Sequence, residues 1–331
     1  MTSREIIIRN LEFGNPARIG MTFGFEPGVM NDMCGAGLGP SVTWQQRKWT
    51  EGDFEYSDDE WGNTWFRIPG RSAGGEIFAP ALKDWDQLPD LRLPDYAAPE
   101  RYRAAAETFA KDPDHYHLAG LPGFPFAICR YLRKMEVYFE DLILERERIN
   151  ELHAKVTDLL EAVIRQYGRT GADGLFFCED WGTQERLLVS PAMWRDIYKP
   201  LYRRLCRAAR ESHLHVLMHS CGYNWEILDD LAEVGVNCVQ FDQPNLHGLE
   251  RLAAKLQGNK VCLYAPVDIQ KVMPTGDRAL IESTAATMAR LFSGRQGGFI
   301  AKDYPDLNGI GVLPEWNRWA YDAFVRAAKC S

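Results

Sequence analysis

Seven short apolar runs punctuate the chain: 19-IGMTFGF-25, 115-HYHLAGL-121, 174-GLFFCED-180, 215-HVLMHSC-221, 237-NCVQFD-242, 260-KVCLYAP-266 and 297-GGFIAKD-303. Each is continuously apolar rather than alternating. That is the pattern of a parallel strand covered on both faces. Between them lie segments whose apolar residues recur every three or four positions, the helical spacing. These are 138–168, which can hold two helices, then 191–212, 224–235, 277–293 and 314–329. Ser190 and Asn224 stand where helix caps are expected, and Pro200 is expected to bend or split its helix. Strand, helix, strand in alternation predicts parallel βαβ units. Seven strands approach the eight of a closed barrel, so the expected fold is α/β, one TIM-like (β/α)8 barrel over residues 1–331. A doubly wound open sheet is the alternative. No GxGxxG follows the first run, which counts against its dinucleotide-binding version.

Residues from about 26 to 114 break this rhythm. They are rich in Gly, Pro, Asp and Trp, as in 51-EGDFEYSDDEWGNTWFRIPGRSAGGE-76. They read as an irregular insertion, a hairpin-like excursion with loops covering one end of the barrel. Within it, Asp59-Glu60-Trp61-Gly62 reads as a turn with a packed tryptophan.

The 331 residues are 46% apolar and 25% charged, with a formal net charge of −8. This is a globular composition. The acidic balance argues against nucleic-acid or anionic-membrane partners, which select basic surfaces. No run approaches the length of a membrane span, and the charged N-terminus does not resemble a secretory signal. The expected location is cytoplasmic. The eight cysteines (Cys34, Cys129, Cys178, Cys206, Cys221, Cys238, Cys262 and Cys330) form no CxxC. They are expected to be free thiols, mostly small buried hydrophobes.

In barrels of this kind, chemistry gathers at the C-terminal ends of the strands. Here those ends carry Cys178-Glu179-Asp180, His219 and Cys221, Asp242-Gln243, Asp268 with Gln270, and Lys302-Asp303-Tyr304. Strand ends are also where polar residues begin in any barrel, so each alone says little. His219 and Cys221 form the sharpest pair. Residues i and i+2 share a strand face, so an imidazole and a thiolate can reach one ion, and zinc suits such mixed ligation. A third ligand is open among Glu179, Cys178, Asp242, Asp303 and Cys34. Alternation turns Cys178 and Glu179 to opposite faces, so at most one of them points inward. Adjacent Glu179 and Asp180 are candidates for acid, base or metal ligand, since mutual repulsion raises one pKa. Trp181, Gln184, Tyr223, Asp242, Gln243, Asp268 and Gln270 are candidate pocket residues. Trp61, Trp65, Trp181, Tyr223 and Tyr304 are aromatic groups that can wall it.

The segments EDWGTQERLLVSPAMWRDIYKPLYRRL, HVLMHSCGYNWEILDDLAEVGVNCVQFDQP and YAPVDIQKVMPTG resemble the uroporphyrinogen decarboxylase superfamily. So do DEWGN and the opening TSREIIIRNLEFGNPARI. The resemblance runs through most of the chain and implies a (β/α)8 barrel with its pocket at the C-terminal strand ends. The true decarboxylases hold porphyrinogen carboxylates with an arginine in an N-terminal RQAGRY-like motif. The corresponding stretch here, FGFEPGVMNDMCGAG, has no arginine. The other branch, the corrinoid-dependent methyltransferases, uses HxC as two zinc ligands and a later cysteine as the third. His219 and Cys221 match the pair. The later cysteine has no counterpart in 299-FIAKDYPDLNG-309, so a carboxylate such as Glu179 or Asp303 is expected to replace it.

The resemblance thus implies a methyltransferase with a bound Zn2+ that works with a separate corrinoid protein carrying methylcobalamin or cob(I)alamin. A small O-methyl substrate is favoured over a thiol, because a harder ligand set makes a stronger Lewis acid. Glu179, Asp180 or Tyr304 would supply a proton. The resemblance also implies a homodimer. A metal-independent decarboxylase of a small or cyclic acid and a non-catalytic ligand-binding barrel are the alternative readings.

Overall fold

The computed structural model describes residues 1–70, 75–294 and 296–328. Cys330 lies outside the described residues. Twelve strands are present among them. They are β1 (Gly20–Thr22), β2 (Met33–Ala36), β3 (Lys48–Glu51), β4 (Phe54–Asp58), β5 (Thr64–Arg67), β6 (Glu76–Ala79), β7 (Tyr116–Gly120), β8 (Gly174–Cys178), β9 (His215–His219), β10 (Cys238–Gln240), β11 (Cys262–Ala265) and β12 (Phe299–Lys302). Eight of them form one all-parallel sheet in the order β1-β12-β11-β10-β9-β8-β7-β2, nearly closed into a barrel. Each expected strand is present, and the eighth, β2, comes from the stretch read as irregular. The helices alternate with the strands as the periodicity predicts. The 138–168 segment is two helices, Met135–Leu144 and Arg146–Tyr167, and the 191–212 segment breaks at Tyr198, just before Pro200.

Register fixes which side chains enter the barrel. Gly20, Ile300, Tyr264, Gln240, His219 and Cys178 lie side by side across neighbouring strands. Below them, Leu217, Cys238 and Cys262 pack with Met33 and Tyr116. The helix Ser3–Leu11 plugs that end, burying Ile7 and Leu11 in the same cluster. Two cysteines here are therefore small buried hydrophobes, as expected.

Between β1 and β2 no ladder forms; an isolated bridge joins Thr22 and Asn31, Phe23 N donates to the Met30 carbonyl, and Asp32 makes the densest set of bonds across the gap. Asp32 is 1% exposed. Its carboxylate accepts two 2.6 Å bonds from Arg18, one from the Met21 amide at 2.8 Å and one from the Ser3 hydroxyl at 2.7 Å. Its own amide donates to the Met21 carbonyl, and its carbonyl accepts from the Tyr116 amide. β1, β2, β7 and the plugging helix meet there.

The insertion is more regular than expected. β3, β4, β5 and β6 form an antiparallel four-stranded meander. It is tied to the rest by Arg101, a buried guanidinium paired with Glu60 and Asp95. The Asp59 turn is as read: Gly62 takes φ +92°, and Trp61 is buried. Asp59 accepts from the amides of Trp61 and Asn63, the Asn63 side chain and the Trp65 indole. No helix among the described residues is long and apolar enough to cross a membrane.

Asp32→Ala should lower unfolding free energy by about 3–5 kcal/mol, because it strands a guanidinium and two further donors in the seam. Urea denaturation against the wild-type chain measures it.

Candidate metal centre and its surroundings

His219 is the last residue of β9 and points into the barrel. Its Nδ1 is 2.6 Å from the Gln240 side-chain oxygen. The Gln240 amide nitrogen donates to Asp242 at 2.7 Å, and Asp242 also accepts from Lys302 at 3.1 Å. A carboxylate only accepts, so the amide nitrogen must face Asp242 and the amide oxygen must face His219. That makes Nδ1 the protonated nitrogen and leaves the Nε2 lone pair free. Metal-binding imidazoles are oriented in the same way.

Two groups converge on that lone pair. The Cys221 sulfur lies 3.3 Å from Nε2, and an Asp180 carboxylate oxygen lies 3.5 Å from it. The nitrogen, sulfur and oxygen all fall within 4.8 Å of one another. Both latter residues lie beyond their strands, so side-chain alternation alone does not place them. The two loops are stitched together instead. The Cys221 amide donates to Asp180 at 2.8 Å, and the Trp181 amide donates to Ser220. Gly182 N donates to the Cys221 carbonyl, and Tyr223 N to that of Thr183. The contact requires two glycines. A Cβ on Gly222 would sit 2.1 Å from the Gly182 carbonyl oxygen, and one on Gly182 would sit 2.4 Å from the Tyr223 nitrogen. Gly222 also has φ +78°. Asn224, expected as a helix cap, instead donates its amide to the carbonyls of Cys221 and Gly222.

The electrostatics suit a cation. Cys221 is exposed at the mouth yet ringed by protein. Desolvation, then the charges of Asp180 and Asp242, push its thiol up to about 12. Cys178 lies opposite His219 in register and is pushed up to about 11 by desolvation and the same carboxylates. Without a cation both remain thiols at neutral pH. A divalent ion would reverse that balance at Cys221 and release its proton.

The other candidates fall elsewhere. Glu179 shares the outward face of β8 with Leu175 and Phe177. It is 1% exposed, accepting from the Ala127 amide at 3.0 Å and from the Tyr202 hydroxyl. It stands behind the strand from the cluster, as alternation dictates once Cys178 faces in. Burial pushes its carboxyl up to about 7. Asp303 accepts from the Gly24 amide at 2.9 Å, and the Cys34 thiol leans on Asp112 on the outward side of β2. Neither joins the cluster. Trp181 is wholly buried, stacked on Phe126 at 4.2 Å and donating to Tyr202, so it is core rather than pocket wall. Asp268 is 1% exposed and accepts from the amides of Asn245, Gln270 and Lys271, so it shapes a loop. The Gln270 side chain is exposed. Gln184 donates to Gln243 at 3.0 Å on the rim. Tyr223 stacks on His247 and accepts from Arg251. Tyr304 is half-buried just past β12. Burial, then the charges of Asp242 and Cys221, raise its hydroxyl pKa, so it stays protonated. Gln240 was not singled out from the sequence. Its inward position beside His219 follows only from register.

Residues 70–329 match the family described as Uroporphyrinogen decarboxylase (URO-D). The chain belongs to this family. It is 22% identical over 152 residues to the methylated-thiol–coenzyme M methyltransferase of Methanosarcina mazei. That match covers 46% of this chain and 39% of the relative, so the chain spans well under half the length of that curated relative. A solved structure of a methyltransferase from Methanosarcina mazei superposes with a TM-score of 0.62 at 15% identity. It covers 81% of this chain and 75% of its own, which establishes the shared barrel of the family.

Two outcomes are expected. Gly222→Ala should cost about 2 kcal/mol or more, through backbone strain and the lost loop contact, and denaturation should show it. Glu179 binds its proton more tightly folded than unfolded, so its stabilisation is full below about pH 4.5 and fades as pH rises through about 7. Glu179→Gln should flatten this decline in a stability–pH profile.

Proposed function

We propose that this chain is a methyltransferase that removes a methyl group from a small O-methyl compound and passes it to a separate corrinoid protein. The observation that carries the reading is the convergence of His219 Nε2, Cys221 Sγ and Asp180 at the strand ends, with Gln240 setting the histidine tautomer. This donor set fits zinc: one nitrogen, one sulfur and one carboxylate oxygen, with room for a fourth partner. Asp180 takes the place that a second thiol would fill. The match to a methyltransferase of Methanosarcina mazei supports the reaction class.

The chemistry zinc brings to such a site is Lewis acidity toward a substrate oxygen. The protein's own part is orientation and proton handling. Gln240, Asp242 and Lys302 hold the imidazole in one tautomer. Asp180 fixes the Cys221 backbone through its amide. In such a transfer the O–CH3 bond would break with its pair left on oxygen, which would take a proton, while the corrinoid protein as acceptor would supply the electron pair for the new bond to the methyl. Tyr304, whose hydroxyl pKa is raised by burial and nearby negative charge, would donate that proton. Glu179, behind the barrel wall, acts on none of the reacting atoms and holds Tyr202 and the Ala127 amide.

Elemental analysis of the purified chain should find about one zinc per chain. His219→Ala, Cys221→Ser and Asp180→Asn should each lower zinc content at least tenfold, with the fold retained by circular dichroism. Loss of zinc from none of them, or carbon dioxide release without a corrinoid protein, overturns the reading.

A further inference from the structure

A chamber of about 380 Å³ opens beside the cluster, between the insertion and the ends of β7 and β8. Cys178 lines it and is also the register neighbour of His219, so one thiol separates chamber from cluster. The wall is aromatic. Trp65 meets Tyr131 edge-to-face at 4.7 Å, and Trp61 meets Tyr96 the same way at 5.9 Å. Leu121 and Phe176 complete the apolar lining. The polar groups are already engaged: Asp59 holds four N–H donors, and the Asn63 oxygen accepts from the Ala81 amide. No Lys, Arg or His lines the chamber among the described residues. Arg101, 5.1 Å from the Tyr96 ring centroid, is paired with Glu60 and Asp95.

We propose that this chamber holds the uncharged aromatic ring of the substrate, so that the O-methyl compound is an aryl methyl ether. The inference rests on the methyl-transfer reading for the identity of the reacting group. A cavity of roughly 150 Å³ already accommodates benzene when its walls are apolar. The present one has space for a substituted ring. The Asp59 bond fixes the Trp65 indole at 2.7 Å, so the wall is organised before a ligand arrives. A carboxylated ring would meet no cation among the lining residues, and Arg130 is already engaged with Tyr131, stacking on its ring at 4.9 Å and donating to its hydroxyl at 3.1 Å, so the carboxylate would lose water without a direct partner. A ring seated here places a methoxy substituent past Cys178, toward His219 and Cys221.

Isothermal titration of the full chain tests this directly, using 1,2-dimethoxybenzene and 3,4-dimethoxybenzoate. The neutral arene should bind, and the benzoate should bind at least tenfold more weakly. Leu121→Trp, which fills the chamber, and Trp65→Ala, which removes a wall, should each weaken arene binding at least tenfold. Both should leave zinc content unchanged, and a thermal melt identifies a variant that has lost its fold. Equal affinity for the two ligands, no binding of the neutral arene, or binding that survives in both folded variants overturns the inference. Arene binding without methyl transfer would leave the chamber standing and sink the methyltransferase reading. Methyl transfer from a non-aromatic ether with no arene binding would do the reverse.

Discussion

The centre depends on two backbones touching where any side chain would intervene. Gly182 and Gly222 lie in the loops that leave β8 and β9, and their close approach lets those loops exchange main-chain hydrogen bonds. The barrel by itself supplies only His219, an inward residue at a strand end. Cys221 and Asp180 are past the reach of the ladder, and loops at a barrel mouth are free to diverge. The contact removes that freedom. It carries Asp180 onto the Cys221 amide and both groups to the histidine nitrogen. Binding groups are best organised when their supports are fixed beforehand, and here the support is main-chain hydrogen bonding between two loops in close contact.

Charge then decides what the assembled groups favour. Asp180 and Asp242 face the same opening, and Lys302 is engaged with Asp242. The surplus is negative, and it acts on two sulfurs already short of water. Both thiols are consequently held neutral, against the ordinary tendency of a nucleophilic cysteine to be activated by nearby cations. A site built for a free thiolate would have the opposite surroundings. An arrangement that penalises every anion except in the presence of a cation is what ligation requires.

Much of this was legible in the sequence, and the gaps have physical causes. Continuous apolarity marked the seven longer strand runs because parallel barrel strands are covered on both sides. β2, with the sequence MCGA, is too short and lacks the β-branched residues that would make it stand out, and what holds it is its ladder to β7 and Asp32, a polar residue before it. The meander reads from the sequence only as a hairpin-like excursion because its strands are exposed or half-buried and carry little of the core. At the site, alternation rightly forbade Cys178 and Glu179 from facing together but could not say which was inside. Asp180 reads from the sequence as an acid, base or metal ligand but not as a neighbour of Cys221, since the contact depends on loop stitching between segments about forty residues apart. Trp181 was misplaced for a different reason. A tryptophan after a strand can face the mouth or fold back into the helix layer, and only Phe126 and Tyr202 decide it.

The insertion gives the barrel something its strands do not provide. Strand ends offer polar chemistry, and the helix Pro125–Arg133 adds only Ala127, Ile128 and Tyr131 to the chamber wall there. The Asp59 turn brings Trp61 and Trp65 over the β7–β8 end and locks them with a carboxylate that has no capacity left for a ligand. One half of the mouth thereby rewards charge and the other half excludes it, with Cys178 at the border. On the proposed reading, the reactant that suits both halves is itself divided, with an electron-rich heteroatom at one end and an uncharged ring at the other. Discrimination on this basis follows from desolvation and needs no dedicated recognition group for the ring.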